Sequence, residues 1–186
     1  MNHSLRFAAA TLALSLASLT AHAVEPGYVD LGKFTPAEGC EFVEVNLHST
    51  VLKFASLFVG KDDADAAALI RSLKHVRVNV IGYNDTTRAE MTNKVESVRR
   101  ELESQGWAQI VAVKHGGKQE DVAIYVKAHD EDAIDGLVIT VIDSCKKEAV
   151  FVNLVGNIKP EQIAAIGRDL HIDPLSRITV TPRKGA

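Results

Sequence analysis

The stretch LVITVIDSCKKEAVFVNLV, residues 137–155, decides the fold class. Two runs rich in Val, Ile and Phe, residues 137–143 and 149–155, flank the polar sequence 144–147. Residues of these types favour β-strands, and a short polar link between two strands is typical of an antiparallel hairpin. We therefore expect this stretch to form two neighbouring strands of a sheet.

The rest of the chain adds strands and helices around this hairpin. Residues 107–114 and 121–127 are two more β-rich runs, and residues 41–48 and 75–81 alternate apolar with polar side chains. Apolar residues at helical spacing indicate helices after Ser49, after Thr87 and after Pro160, the first of them interrupted at Gly60. The expected order is β-α-β-α-β-β-β-β-α.

This order predicts an α+β domain with a single mixed β-sheet. We interpret the interrupted helix between the first two strands as one broken crossover. Two helical crossovers place the first three strands roughly parallel, and right-handed connections put the helices mainly on one face of the sheet.

Alternation along the strands divides the sheet into two faces. The aliphatic face carries Val43, Val45, Val78, Val80, Ile124, Ile139, Val141, Val152 and Leu154. The mixed face carries Phe42, Glu44, Asn46, His48, Arg77, Asn79, Ile110, Tyr125, Val138, Thr140, Phe151 and Asn153.

We expect the helices to cover the aliphatic face and to leave the mixed face open as an interaction surface. Its candidate binding residues are Phe42, Glu44, His48, Arg77, Tyr125 and Phe151. The alternatives are that residues 24–38 or the C-terminal tail cover the mixed face, or that it closes a homodimer.

The first 23 residues have the pattern of a signal peptide. Arg6 precedes an apolar run at residues 7–19, which is too short to span a bilayer, and Ala21-His22-Ala23 fits a signal peptidase site. We expect cleavage after Ala23 and a periplasmic protein, or alternatively a secreted one. Residues 24–38 then form a flexible leader, 39–172 a single domain, and 173–186 a C-terminal tail in which 178–181 resembles a short edge strand.

The net charge bears on the class of partner, and the cysteine content bears on disulfide formation. The formal net charge of −3 argues against a nucleic-acid partner, and no long apolar segment predicts a transmembrane span. Two cysteines, Cys40 and Cys145, enter an oxidising compartment, which favours a disulfide between them; two separate thiols are the alternative.

The sequence contains no recognisable catalytic or metal-binding motif. No histidines after residue 23 have the spacing of a zinc-binding pair, and neither a nucleophile elbow nor a C-x-x-C pair is present. We therefore assign no catalytic residue, no metal site and no cofactor.

The same runs resemble a known family. The strands at 41–47 and 75–80, the pair Gly106-Trp107, the strands at 135–141 and 151–158, and the helix at 160–170 are similar to the bacterial domain-of-unknown-function family 4252. The resemblance covers about residues 40–171. It implies an exported envelope protein of no known activity, with no family residues to transfer.

These observations predict a soluble envelope protein that is a non-enzymatic interaction or self-association module. Its partner would be an envelope protein or a second copy of the chain. The alternative is a small-ligand-binding protein, or a hydrolase of an unrecognised type, that uses His48, Glu44 and Arg77 on the mixed face.

Overall fold

The computed structural model describes residues 25–59, 64–114, 120–159 and 162–163. The strands are β1 (Phe42–His48), β2 (Leu73–Gly82), β3 (Ala108–Lys114), β4 (Asp121–Ala128), β5 (Ile134–Asp143) and β6 (Glu148–Ile158), and the helices are α1 (Ser49–Ala55), α2 (Ala64–Ser72) and α3 (Arg88–Ser104). The predicted α+β class is confirmed over this part of the chain. The predicted signal peptide at 1–23, most of the predicted helix at 160–170 and the predicted tail at 173–186 lie outside it.

The six strands form one open sheet in the order β1-β2-β6-β5-β4-β3. Every neighbouring pair is antiparallel, so the prediction of a mixed sheet is wrong. The hairpin at 137–155 forms as expected, because β5 and β6 pair directly, with Asp143 opposite Glu148.

The prediction that the first three strands are roughly parallel is wrong at the connection between β1 and β2. Helices α1 and α2 contact each other and act as two elements, so the chain returns to the end of the sheet that it left. His48 at the end of β1 therefore lies opposite His75 near the start of β2, and the two strands are antiparallel. Four antiparallel pairings separate β2 from β3, so those two strands do point the same way.

The mixed face is covered by α3 and by residues 27–34. Val95, Val98 and Leu102 of α3 are buried in one cluster with Tyr125 and Phe151 of the sheet. The cluster also includes Val29 and Leu31 from the segment that precedes β1. Residues 27–34 thus provide the cover that the sequence left as an alternative for segment 24–38.

The aliphatic face is covered by the other helices. Leu52 of α1, Leu69 of α2 and Ile163 pack in a second cluster with Ile124 and Ile139 of the sheet. Helices therefore lie on both faces, and the prediction that they lie mainly on one face is wrong.

The side chain of Asn153 fixes the leader to the sheet. It is buried, its Oδ1 accepts a hydrogen bond from the Val29 N–H at 3.1 Å, and its Nδ2 donates to the Gly27 carbonyl at 3.0 Å. Gly27 has φ of +85°, and a Cβ there would lie 2.1 Å from the Asp135 carbonyl oxygen. Backbone therefore packs directly on backbone at this point.

Asn153→Leu tests this attachment. The substitution conserves size but leaves the buried Val29 N–H and Gly27 carbonyl without partners, so we expect the free energy of unfolding to fall by about 2–4 kcal/mol. Denaturant unfolding of the chain from Val24 onwards measures the change.

Asn79→Leu is the matched control. Asn79 is also fully buried on the mixed face, but its side-chain amide has no hydrogen-bond partner in the described part of the chain. We expect this variant to be as stable as the parent or more stable. An equal decrease in the free energy of unfolding in the two variants would show that the hydrogen bonds of Asn153 do not hold the leader.

Candidate functional site

The centre of the predicted binding surface is part of the hydrophobic core. Tyr125 and Phe151 are at most 1% exposed, so the expectation of an open surface is wrong at these two positions. The ring of Phe34 from the leader lies on Phe151, with ring centroids 4.8 Å apart. Substituting either residue is therefore expected to reduce stability rather than to test association.

The Tyr125 hydroxyl is used inside the fold. It donates a hydrogen bond to Glu103 of α3 at 3.1 Å and accepts one from Gln109 Nε2 at 3.0 Å. Burial first, and then the hydrogen bond to the Glu103 carboxylate, raise the pKa of Tyr125 to about 12. The phenol stays protonated and acts as a structural donor.

Two arginines connect the mixed face with the elements that cover it. Arg99 of α3 is buried and donates to Thr140 Oγ1 and to Asp121, each at 2.9 Å. Arg77 donates to the Gly32 carbonyl at 2.8 Å and pairs with Glu44 at 3.3 Å. Arg77 and Glu44 therefore lie together, as predicted, but Arg77 binds the leader.

The remaining two predicted residues lie towards opposite ends of β1. Phe42 is partly buried and packs against the core cluster under the leader. His48 is exposed, at the point where β1 passes into α1. Of the six predicted residues, His48 is the one that lines a cavity described below.

Cys40 and Cys145 are not joined by a disulfide in the structure. Cys40 comes just before edge strand β1, whereas Cys145 lies in the turn between β5 and β6. Strand β2 lies between β1 and β6, so the two positions are about two strand spacings, or roughly 10 Å, apart. A disulfide needs Cα atoms within about 7 Å, so the predicted bridge does not fit this arrangement.

A cleft of about 540 Å³ opens where β1, α1, α2 and β2 meet. Three cations line it: Lys53 of α1, Arg71 at the end of α2 and Lys74 of β2. Among the described residues that line it, the carboxylate is Glu25, which pairs with Lys74 at 2.7 Å. The described lining therefore carries an excess of positive charge, and we call this cleft the basic cleft.

The fold of the α1–α2 pair creates the basic cleft. Ser49 and Lys53 are four residues apart, so they lie on the same side of α1. Arg71 and Ser72 end α2 at the same corner because α2 returns the chain to the start of β2. Polar residues of α1 and of α2, which are separate in the sequence, thus lie together at one corner of the sheet.

The ring of His75 stacks on the rings of His48 and Tyr28, and both histidines line the cleft. The centroid of His75 lies 4.6 Å from that of His48 and 5.3 Å from that of Tyr28. His75 Nε2 also contacts the side-chain oxygen of Asn46. Burial first, and then the nearby His48 and Arg77, lower the pKa of His75, while Glu25 acts in the opposite direction.

The sequence did not point to Lys53, Arg71 and Lys74. Isolated lysines and arginines on predicted helices and strands are ordinarily solvated, and their convergence depends on how α1 and α2 pair. A signal was available in the break at Gly60, which separates two helices that can fold back on each other.

The described residues contain no group of three His, Cys, Asp or Glu side chains placed to hold a metal ion. Within the same ranges, no helix is both long and apolar enough to cross a membrane.

A sequence model of the family described as "Domain of unknown function (DUF4252)" matches residues 37–166. The chain belongs to this family. The match confirms the resemblance seen in the strand pattern, and it covers β1 to β6 of the DUF4252 fold together with the basic cleft, except for Glu25. Comparisons with curated proteins and with solved structures found no match.

The lowered pKa of His75 predicts a pH-dependent stability. Above the unfolded-state pKa of about 6.5 the imidazole is neutral in both states. As the pH falls below it, the unfolded chain takes up the proton first, so the free energy of unfolding decreases until the folded-state pKa is passed. Urea unfolding at a series of pH values measures this decrease.

His75→Gln should reduce the loss of stability on acidification, whereas His129→Gln, at an exposed position of the β4–β5 turn, should keep it. An unchanged slope in His75→Gln would assign the pH dependence to other groups.

Proposed function

We propose that this DUF4252 protein is an exported, non-enzymatic envelope protein that acts by self-association through strand β1. The signal-peptide pattern of residues 1–23 supports export. The observation that carries the proposal of self-association is the outer edge of β1, which pairs with no strand among the described residues. The mixed face, which was the earlier candidate surface, is occupied at its centre by the protein's own core.

Strand β1 lies at one edge of the sheet and lacks three of the features that protect edge strands. Its seven residues contain no Lys and no Pro, and they pair with β2 without a bulge. The opposite edge strand, β3, has a register irregularity between Gln109 and Val111 and ends in Lys114. Natural proteins use bulges and lysines to block edge pairing, so β1 is the edge that remains competent to pair.

The backbone groups of β1 alternate between β2 and the exterior. The Glu41 carbonyl accepts a hydrogen bond from the Gly82 N–H, which places the hydrogen-bonding groups of 43, 45 and 47 towards β2. The N–H and C=O groups of Phe42, Glu44 and Asn46 then point outwards, together with the N–H of His48, whose carbonyl begins helix α1. A second strand can pair with these four residues and leave the existing β1–β2 bonds intact.

A second copy of β1 fits this edge in antiparallel orientation. With Val45 on a two-fold axis, all seven residues pair: Glu44 lies opposite Asn46 of the second copy, Phe42 opposite His48, and Val43 opposite Leu47. No like charges face each other in this register. Shifting by one hydrogen-bonding step in one direction sets Glu44 against its own copy, so the register centred on Val45 is preferred.

The side chains of β1 gain cover in this pairing. Val43 is 39% exposed in the single chain. Leu47 of the second copy would lie beside it on the aliphatic face, and the burial of apolar surface stabilises the pair. Homodimers with two-fold symmetry are the most common assemblies of soluble proteins, and they need one self-complementary surface.

Glu44→Pro tests the self-association. Proline removes only the outward N–H, so it blocks pairing with a second β1 and leaves the bonds to β2. Glu44→Thr is the matched control, because it also removes the exposed ion pair with Arg77 but keeps the N–H and favours a strand. We expect dimers of the parent and of Glu44→Thr, and monomers of Glu44→Pro, by light scattering.

A monomeric parent at micromolar concentration contradicts the proposal, as does a Glu44→Pro variant that stays dimeric. Circular dichroism shows that each variant is folded.

A second function, the binding of a small ligand, has support at a different place from the one first expected. The basic cleft gathers three cations and two imidazoles around one opening. In an activated nucleophile, a hydroxyl or thiol is hydrogen-bonded to a neighbouring base. Within the described residues, no hydroxyl donates a hydrogen bond to His48 or His75. The cleft geometry therefore favours binding over hydrolysis.

A further inference from the structure

Helix α1 has an apolar outer side, which is unusual for a surface helix. Leu52 and Ser56 are buried against the sheet. On the outer side, Phe54, Leu57 and Phe58 are 62%, 75% and 73% exposed, and Val51 is 50% exposed. Four large apolar side chains thus project together from one short segment, and we call them the α1 patch.

The segment that carries the α1 patch is held in place by the backbone. The N–H groups of Ser56, Leu57 and Phe58 donate to the carbonyls of Leu52, Phe54 and Ala55, which extends α1 by a turn. The rings of Phe54 and Phe58 meet edge to face, with centroids 5.0 Å apart. The exposed rings are therefore ordered before any partner binds.

Positive charge lies directly beside the α1 patch. Lys53 precedes Phe54 in the chain and faces the basic cleft, where Arg71 also lies. In the described part of the chain, neither side chain forms an ion pair, whereas Lys74 is neutralised by Glu25. Two unneutralised cations therefore line the cleft next to exposed aromatic rings.

We propose that the α1 patch and the basic cleft together form a docking site for the surface of an anionic phospholipid membrane. Phe54, Leu57 and Phe58 enter the boundary between headgroups and acyl chains, while Lys53 and Arg71 bind lipid phosphates. Interfacial elements combine these two features, apolar insertion and electrostatic attraction to anionic headgroups.

The size of the α1 patch favours a membrane over a protein partner. A stable protein interface buries about 800 Å² on each partner. A fully buried aromatic side chain contributes about 150–250 Å², so two rings that are 62% and 73% exposed, with two aliphatic side chains, fall short of that area. A bilayer needs no complementary shape, and it accepts a small ordered patch flanked by cations.

The proposal is separate from self-association through β1. The outward groups of β1 are backbone N–H and C=O groups, whereas membrane docking uses side chains of α1 and of the cleft. Dimerisation would present two docking sites, but one site is sufficient for binding.

Co-sedimentation with lipid vesicles tests the docking site. The probe is vesicles of equal parts phosphatidylcholine and phosphatidylglycerol, compared with pure phosphatidylcholine. The protein is the chain from Val24 onwards with any tag at its C terminus, because Glu25 forms part of the cleft wall. We expect binding to the anionic vesicles that weakens as salt is added.

Three variants separate the contributions of the cations and of the aromatic rings to vesicle binding. Lys53→Gln should weaken binding about fivefold, because a basic residue near an anionic surface contributes on the order of 1 kcal/mol. Phe54→Ser combined with Phe58→Ser should weaken it more than tenfold, from the lost burial of two rings. Lys146→Gln is the control, because Lys146 is an exposed lysine in the β5–β6 turn at the other end of the sheet.

Three results would overturn the proposal. One is equal binding to anionic and neutral vesicles, or to neither. A second is Lys53-dependent binding of inorganic phosphate, followed by calorimetry, without binding to vesicles, since that result makes the cleft a site for a free anion. A third is a change of molar mass on replacing Phe54 and Phe58 while vesicle binding stays the same, which assigns the α1 patch to a protein contact. Glu44→Pro, tested in the same assay, should still bind vesicles as a monomer.

Discussion

The buried side-chain amide of Asn153 is the interaction on which the arrangement of this molecule depends. It satisfies one N–H and one carbonyl of the leader at the centre of the sheet, where an unpaired backbone group costs as much as a lost hydrogen bond. With the leader held there, Val29, Leu31 and Phe34 complete the core above Tyr125 and Phe151. The mixed face becomes an interior, and surfaces for association must lie elsewhere.

Those surfaces lie at the corner formed by β1 and α1. Strand β1 is an edge because α1 and α2 return the chain to the sheet beside it instead of carrying it across. The same return places the ends of α1 and α2 around the basic cleft. One topological feature therefore produces both the open strand edge and the cluster of cations.

Much of the fold follows from local patterns in the sequence. Alternation or β-rich composition predicted all six strands, and the period of a strand fixes which side chains share a face. The strand pattern could not predict which helices or segments would cover each face. Asn153, Thr140 and Asn79 suggested an exposed face, but the first two are buried with partners from the leader and α3 that are distant in sequence.

The candidate site was less accessible to prediction for a related reason. His48 was identified from its place on a strand, whereas Lys53 and Arg71 acquire their roles when two short helices pair. Likewise, the even number of cysteines suggested a bridge, but the strand order places Cys40 and Cys145 two strand spacings apart. The position of the cations and the separation of the cysteines both depend on which elements pair in the fold. Neither helical periodicity nor composition predicts that pairing.

Residue-resolved amide hydrogen exchange at low and high protein concentration tests the central claim, that the mixed face is closed and that association occurs at β1. The structure predicts that the Val29 N–H is protected at both concentrations, because Asn153 binds it inside the fold. The N–H groups of Glu44 and Asn46 should become protected only at the higher concentration. Rapid exchange at Val29, or concentration-dependent protection on β3 instead of β1, would contradict this account.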